Sequence, residues 1–360
     1  MTVYLVLLLV VTIAIYLSQR ATDRSARRLM YAVAFASLVL VGGLRNGSVG
    51  TDSRSHIVIF ERTVELADVW KSGLEPGFAL LSWLGKLVSD NYAVVFTLVA
   101  VVVTLCFLWG MRELSVDPAV SIFVLLASGI YLVSFNGTRQ GIAIAVLFPA
   151  IGFIYYRKFW PFLVSVAVAC FFHISAMVVL PVYFIVPRKN DFRYNALVFG
   201  AVVVSVLFFS ELVALAGRLN PRYLVYGEVG QLSRGLVYAA SVVAIGLFFL
   251  YFKRYVKQHR PWYDLLLNLY LLGVVVTVVA VFRTTFVSGV MRLNSYFTTS
   301  QILLWPIVFA NLHRYRHRAM VGLAFVILFL VYYGILLSRF SNLVPYSFNP
   351  LVQDWFSTLF

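Results

Sequence analysis

The opening stretch MTVYLVLLLVVTIAIYLS carries no charged side chain. Runs like it recur along the chain, and they constrain the fold more than any other feature. About 20 apolar residues cross the hydrocarbon core of a bilayer as a helix. Inside that core every backbone N–H and C=O must be bonded within the protein, which leaves helices or a closed barrel. These runs are continuous rather than alternating, so helices are expected. Apolar segments near 3–18, 28–44, 92–110, 119–135, 141–156, 159–172, 174–187, 195–213, 235–252, 264–282, 292–311 and 320–338 predict about twelve transmembrane helices. The run 77–88, GFALLSWLGKLV, is too short to span and contains Lys86. It reads as an interfacial or re-entrant helix. The fold class expected is an all-α polytopic membrane protein.

Composition supports this reading. The chain is 62% hydrophobic and 12% charged, which leaves too little polar sequence for a separate soluble domain. A single integral membrane domain over residues 1–360 is expected. The N-terminus lacks a basic leader and a small-residue cleavage site, and reads as a retained first span. The net charge of +15 reflects topology rather than nucleic-acid binding. With the N-terminus outside, 17 of the 29 basic residues fall in cytoplasmic connections, against five of the 14 acidic ones. The outer face then receives 45–91, 136–140, the turn at His173, 214–234, 283–291 and the tail 339–360. Within 45–91, SHIVIFERTVELADVW spaces Ile57, Phe60, Val64 and Ala67 as one amphipathic surface helix.

The chemistry-bearing residues gather in these outer segments. GLRNGSVGTDSRSH brings Arg45, Asp52 and His56 into one compact loop, where a carboxylate near an arginine can act as a base, the alternative being a solvated loop after a helix end. Arg54 and His56 read as solvated or membrane-surface residues. NGTRQ sets Arg139 and Gln140 at the start of an apolar run, with Asn136 or Thr138 as the helix cap. An arginine there adds to the positive end of the helix dipole and suits an anion such as phosphate. His173 lies between two apolar runs and requires a partner or a wet cavity. Arg222 and Tyr223 combine a guanidinium with an aromatic face, a pairing suited to a sugar phosphate. Arg283 and Arg292 bracket the last outer loop. No phosphate-binding glycine loop is present. Cys106 and Cys170 sit apart within apolar runs, and His313 and His317 fall in a basic inner cluster, so no metal site or cofactor is expected.

The ordered segments LRNGSVGTD, EPGFALLSWL, NGTRQGIAIA, RKFWPFLVSVAVACFFHISAMVVLP, RYLVY, MRLNSYF and VPYSF resemble the EpsG-type branch of the Wzy-like polysaccharide polymerases. The resemblance runs from about residue 43 to 348; Ser53 stands where an aromatic is expected after Gly50-Thr51-Asp52. It implies a GT-C-like glycosyltransferase of the bacterial cytoplasmic membrane with its active site on the outer side. Such enzymes join polyprenyl-diphosphate-linked oligosaccharide units into exopolysaccharide, capsule or O-antigen, in some cases beside a chain-length regulator. Asp52 ranks first as the base, His173 second and Glu75 third. Arg139, Arg292, Arg222 and Arg45 supply cations for the diphosphate leaving group. The chemistry is expected to be metal-independent. The alternatives are a flippase for lipid-linked sugars and a membrane acyltransferase.

Overall fold

A computed structural model describes residues 1–71, 75–208, 236–283, 287–312, 318–339 and 342–350, with isolated positions at 210, 211, 214, 215, 218 and 352. Among the described residues the chain is helical and contains no strand. Seven of these helices are long and apolar enough to cross a membrane: Thr2–Arg20, Arg24–Gly43, Ala93–Leu114, Thr138–Tyr155, Leu236–Tyr255, Arg260–Phe282 and Arg318–Ser338. Shorter apolar helices lie between them. The protein is an all-α multi-pass membrane protein. Its helices group into two compact units, one of residues 1–180 with 312–360, the other of residues 181–311.

In the first unit, α1 (Thr2–Arg20) and α2 (Arg24–Gly43) form a hairpin. Asp23 caps α2 by accepting the Ala26 N–H at 3.0 Å. Helix α2 ends beside the start of the helix Ala93–Leu114, where Gly42 and Gly43 meet Ala100 and Thr97. Small residues at such a crossing let two apolar helices pack closely without a hydrophobic driving force. The helix Ala93–Leu114 runs alongside Thr138–Tyr155 in the same direction, since Gly110 meets Phe148 and Gly152 meets Leu114. The helix Phe159–Phe172 turns back along Thr138–Tyr155. Arg20, Arg24, Arg112 and the Arg157–Lys158 turn therefore share one end of this unit. The loop 44–52, Glu75, Arg139 and His173 share the other. The basic connections and the motif-bearing segments are separated as the charge distribution requires.

Three expected spans are interrupted. The segment 119–135 divides into Pro118–Ala127 and Val133–Asn136. Gly129 sits there at φ +77°, and the Ser128 and Gly129 N–H groups close on Val124 and Leu126 carbonyls. The segment 174–187 is a 3₁₀ turn over Ile174–Val179 followed by Pro181 and a single α-turn, because the proline lacks the N–H a longer helix needs. The segment 292–311 breaks after Thr298, where the Thr298, Thr299 and Ser300 hydroxyls bond back to the carbonyls of Asn294, Ser295 and Phe297. The amphipathic helix expected across residues 55–70 also stops early. It spans Ser53–Arg62 and buries Ser53, His56 and Phe60. Beyond it Asp68 draws in the Val64 and Glu65 N–H groups, and Val64 and Ala67 are exposed.

The second unit packs Phe192–Leu207, Leu236–Phe252 and Val287–Thr298 against Arg260–Arg283. Its buried polar groups bond across helices. Asn268 binds the Pro187 carbonyl at 2.8 Å and receives Asn190 at 2.6 Å, while Asn294 donates to Thr277 at 2.7 Å and to Tyr238 at 3.1 Å. Satisfied bonds of this kind hold apolar helices in register.

Candidate active site

Glu75 is the centre of the site. It precedes Pro76, which disfavours a helical conformation for the residue before it. Glu75 is accordingly extended, at φ −61° and ψ 131°, and Pro76 opens the helix Pro76–Lys86. The Glu75 carboxylate does not cap that helix. It reaches across to two other segments. Gly77 makes the approach possible, because a Cβ there would lie 2.7 Å from the Phe171 carbonyl oxygen and from the Phe172 ring. The start of one helix thus presses on the end of another, and Glu75 lands beside His173.

His173 terminates Phe159–Phe172 in an extended conformation. Its Nδ1 lies 2.9 Å from Glu75 Oε1, and the Ile174 N–H donates to the same oxygen at 3.1 Å. The other carboxylate oxygen, Oε2, takes the Arg139 guanidinium through Nη1. Arg139 stands in the first turn of Thr138–Tyr155. One carboxylate therefore ties together three segments far apart in sequence. The side chains of Glu75, Arg139 and His173 are 16%, 26% and 27% exposed, so the cluster is partly shielded yet reachable.

The electrostatics follow from this geometry. Burial by itself would raise the Glu75 pKa. Hydrogen bonds from His173, from its own backbone N–H and from the Ile174 N–H, together with the Arg139 charge, reverse that and hold it at about 2. Glu75 is therefore ionised at neutral pH and can only accept hydrogen bonds. His173 Nδ1 must then carry a proton, so in the neutral tautomer Nε2 is the lone-pair nitrogen. Arg139 would be unfavourable at a helix N-terminus without an anion. Glu75 is that anion here.

The loop 46–56 packs against the same end. The Thr51 N–H donates to Asn136 Oδ1 at 2.9 Å, one turn before Arg139. Asn136 is thus engaged with the loop, Gly137 occupies the cap position, and neither Asn136 nor Thr138 caps the helix by its side chain. Asp52 is half-buried at the start of Ser53–Arg62 and accepts the Thr51 hydroxyl at 3.2 Å. His56 is buried rather than solvated. Its Nδ1 lies 2.7 Å from the Asp52 carbonyl, and its ring meets Phe78 edge-on at 4.7 Å. Burial drives its pKa down to about 4. The alternation of polar and apolar residues in SRSHIVIF concealed this, because the buried face of the helix begins at Ser53. Arg54 is exposed, and Gln140, next to Arg139 in sequence, is buried.

Arg45 is 1% exposed. Its guanidinium lies 4.0 Å from the Phe96 ring centre and 4.5 Å from that of Phe135, and it donates to the Gly42 carbonyl. The segment 342–349 straps this loop. Asn46 donates to Ser347 at 2.8 Å, Asn349 to Leu44 at 2.7 Å and Gly50 to Asn342 at 2.9 Å. Burial pushes the Arg45 pKa down to about 10, which leaves it charged at neutral pH. Arg292 is exposed on the second unit. Arg222, Tyr223, the Arg283 side chain and the pair His313 and His317 lie outside the described residues.

A family model for the EpsG family matches residues 28–348 of the 360. The chain belongs to the EpsG family. It is a membrane protein of the exopolysaccharide-polymerase type. The match takes in the loop 44–56, Glu75, Arg139, His173 and the strap through Phe348. No curated protein and no solved structure matches the chain.

Proposed function

We propose that this EpsG protein is a metal-independent, GT-C-like glycosyltransferase of the bacterial cytoplasmic membrane, with about twelve crossings. It lengthens polyprenyl-diphosphate-linked oligosaccharides at the outer face, giving exopolysaccharide, capsule or O-antigen. The observation that carries this reading is the single carboxylate of Glu75 holding both His173 and Arg139.

His173 takes the proton of the acceptor hydroxyl on Nε2. The hydroxyl oxygen attacks the anomeric carbon of the donor. The bond from that carbon to the diphosphate breaks, and its electron pair leaves with the polyprenyl diphosphate. Glu75 positions the ring and stabilises the imidazolium that forms, as a carboxylate does behind any histidine base. Arg139 has further N–H groups to offer the departing diphosphate, where charge develops in a site of low dielectric. Arg292, Arg222, Tyr223, Arg283 and Gln140 are proposed for glycan and phosphate binding. Asp52 takes a binding role in this scheme. Arg45 is assigned to the scaffold, because its guanidinium is enclosed by rings and backbone.

Purified protein reconstituted with lipid-linked repeat units tests the proposal, read as chain length and polyprenyl diphosphate release. The wild type should lengthen the units. Arg139→Ala should leave single units, with turnover lowered about a hundredfold or more. Relocation of units between leaflets without lengthening would establish a flippase instead. Consumption of an acyl donor without diphosphate release would establish an acyltransferase. Undiminished chain length in Arg139→Ala would remove Arg139 from the chemistry.

A further inference from the structure

At the end of the first unit away from Glu75, the structure holds a cavity of about 690 Å³ lined by Ser18, Gln19, Arg24, Arg27, Arg28, Tyr31 and Arg112. Three helices contribute to it: the last turn of α1, the first two turns of α2 and the end of Ala93–Leu114. Four solvent-exposed arginines border one open space, and among the described residues no carboxylate lines it. The acids nearby are committed elsewhere. Asp23 takes the Ala26 N–H and the Ser25 hydroxyl; Asp117 caps its own helix through the Ala119 and Val120 N–H groups and receives Gln19 at 3.2 Å. Glu113 is exposed beside Arg112. Among the described residues no ion pair reaches Arg24, Arg27, Arg28 or Arg112. Arg27 donates one N–H to the Ala21 carbonyl at 3.1 Å.

Like charges gathered at this density repel one another unless an anion joins them. Positive-inside topology asks for arginines on this side of the membrane, but not for arginines from separate helices around one hollow. We propose that the cavity binds the phosphate headgroup of an anionic phospholipid. Arginine forks match phosphate oxygens in pairs. The volume falls within the range that holds a headgroup of small-molecule size. Tyr16, Leu17 and Leu29, each next to or within two residues of a cavity-lining residue in sequence, are exposed and offer apolar surface to acyl chains. A soluble phosphate would gain nothing from that surface. Basic hollows between helices at a membrane surface are suited to such headgroups on general electrostatic grounds. The bound lipid would brace the α1–α2 hairpin against Ala93–Leu114.

Native mass spectrometry of the full-length protein tests this, after exchange into nanodiscs of phosphatidylcholine with phosphatidylglycerol. The wild type should retain phosphatidylglycerol preferentially. Combined Arg24→Gln, Arg28→Gln and Arg112→Gln should lower that retention about tenfold or more. The matching Arg→Lys triple keeps the charge, controls for folding, and should fall between the two. Arg157→Gln with Lys158→Gln and Arg193→Gln removes as much charge elsewhere and should leave retention unchanged. Equal loss in that control, or unchanged retention in the first triple variant, would overturn the site. Saturation by inorganic phosphate with no phosphatidylglycerol bound would overturn the lipid assignment.

Discussion

Arg45 and Arg139 lie at the same end of one helical unit, and each stands two residues from a glycine, Arg45 in a loop and Arg139 in the first turn of a helix. Their surroundings differ entirely. Arg45 is enclosed by Phe96, Phe135 and the Gly42 carbonyl, with its Nε and Nη2 meeting no acceptor among the described residues. Arg139 is partly open and paired with a carboxylate that also holds a histidine. A buried guanidinium on aromatic faces uses its flat, weakly hydrated surface for packing. A half-open guanidinium beside a carboxylate and an imidazole keeps directed N–H groups for a ligand. The same residue type thus serves the scaffold in one place and, under the proposed function, chemistry in the other, and the side chains brought in from distant segments decide which.

Mutants separate the two regions in order of expected effect. The largest is His173→Ala, which should lower turnover about a thousandfold while leaving the melting temperature near wild type. A turnover within tenfold of wild type would place the base elsewhere, with Asp52 next. Glu75→Gln should lower turnover about a hundredfold, less than loss of the base itself. It should also release the His173 proton from Nδ1, read as a change in the ring ¹⁵N shifts that a purely structural carboxylate would not produce. Its stability should lose an acid-side dependence. Glu75 has a folded pKa of about 2 against an ordinary 4.5, so the stability it contributes is complete above 4.5 and disappears as pH falls towards 2.

Arg45→Met should show the opposite pattern to His173→Ala. It keeps an unbranched chain between the rings but loses the bond to Gly42, and should destabilise the fold by about 1–3 kcal/mol. Turnover of the folded fraction should stay within tenfold; a thousandfold loss with an unchanged melting temperature would return Arg45 to the site. The smallest effect belongs to His56. Its folded pKa lies near 4 against an ordinary 6.5, so the unfolded chain binds the extra proton between those values. Stability should fall as pH drops from 6.5 to about 4, and His56→Leu should flatten that part of a thermal-melt series.

Seven of the expected spans were legible in the sequence because hydrocarbon admits only internally bonded backbone, and long apolar runs satisfy that by themselves. The three interruptions were marked less openly, by Ser128-Gly129, by Pro181 and by Thr298-Thr299-Ser300. Each is a local backbone effect that a hydropathy pattern averages away. His56 was misread for a related reason. A short helix with a narrow buried face resembles a surface helix until the neighbouring ring of Phe78 is in place.

Glu75 shows the limit most clearly. In the sequence it is an acidic residue before a proline, 64 residues from Arg139 and 98 from His173. Membrane solvation dictated where the helices are and which ends carry the basic loops, because those are properties of each segment alone. Only the tertiary structure determined that one carboxylate serves both a histidine and an arginine. Charge pairing acts over a few ångströms, and helix packing, not chain order, brings those three side chains within that reach.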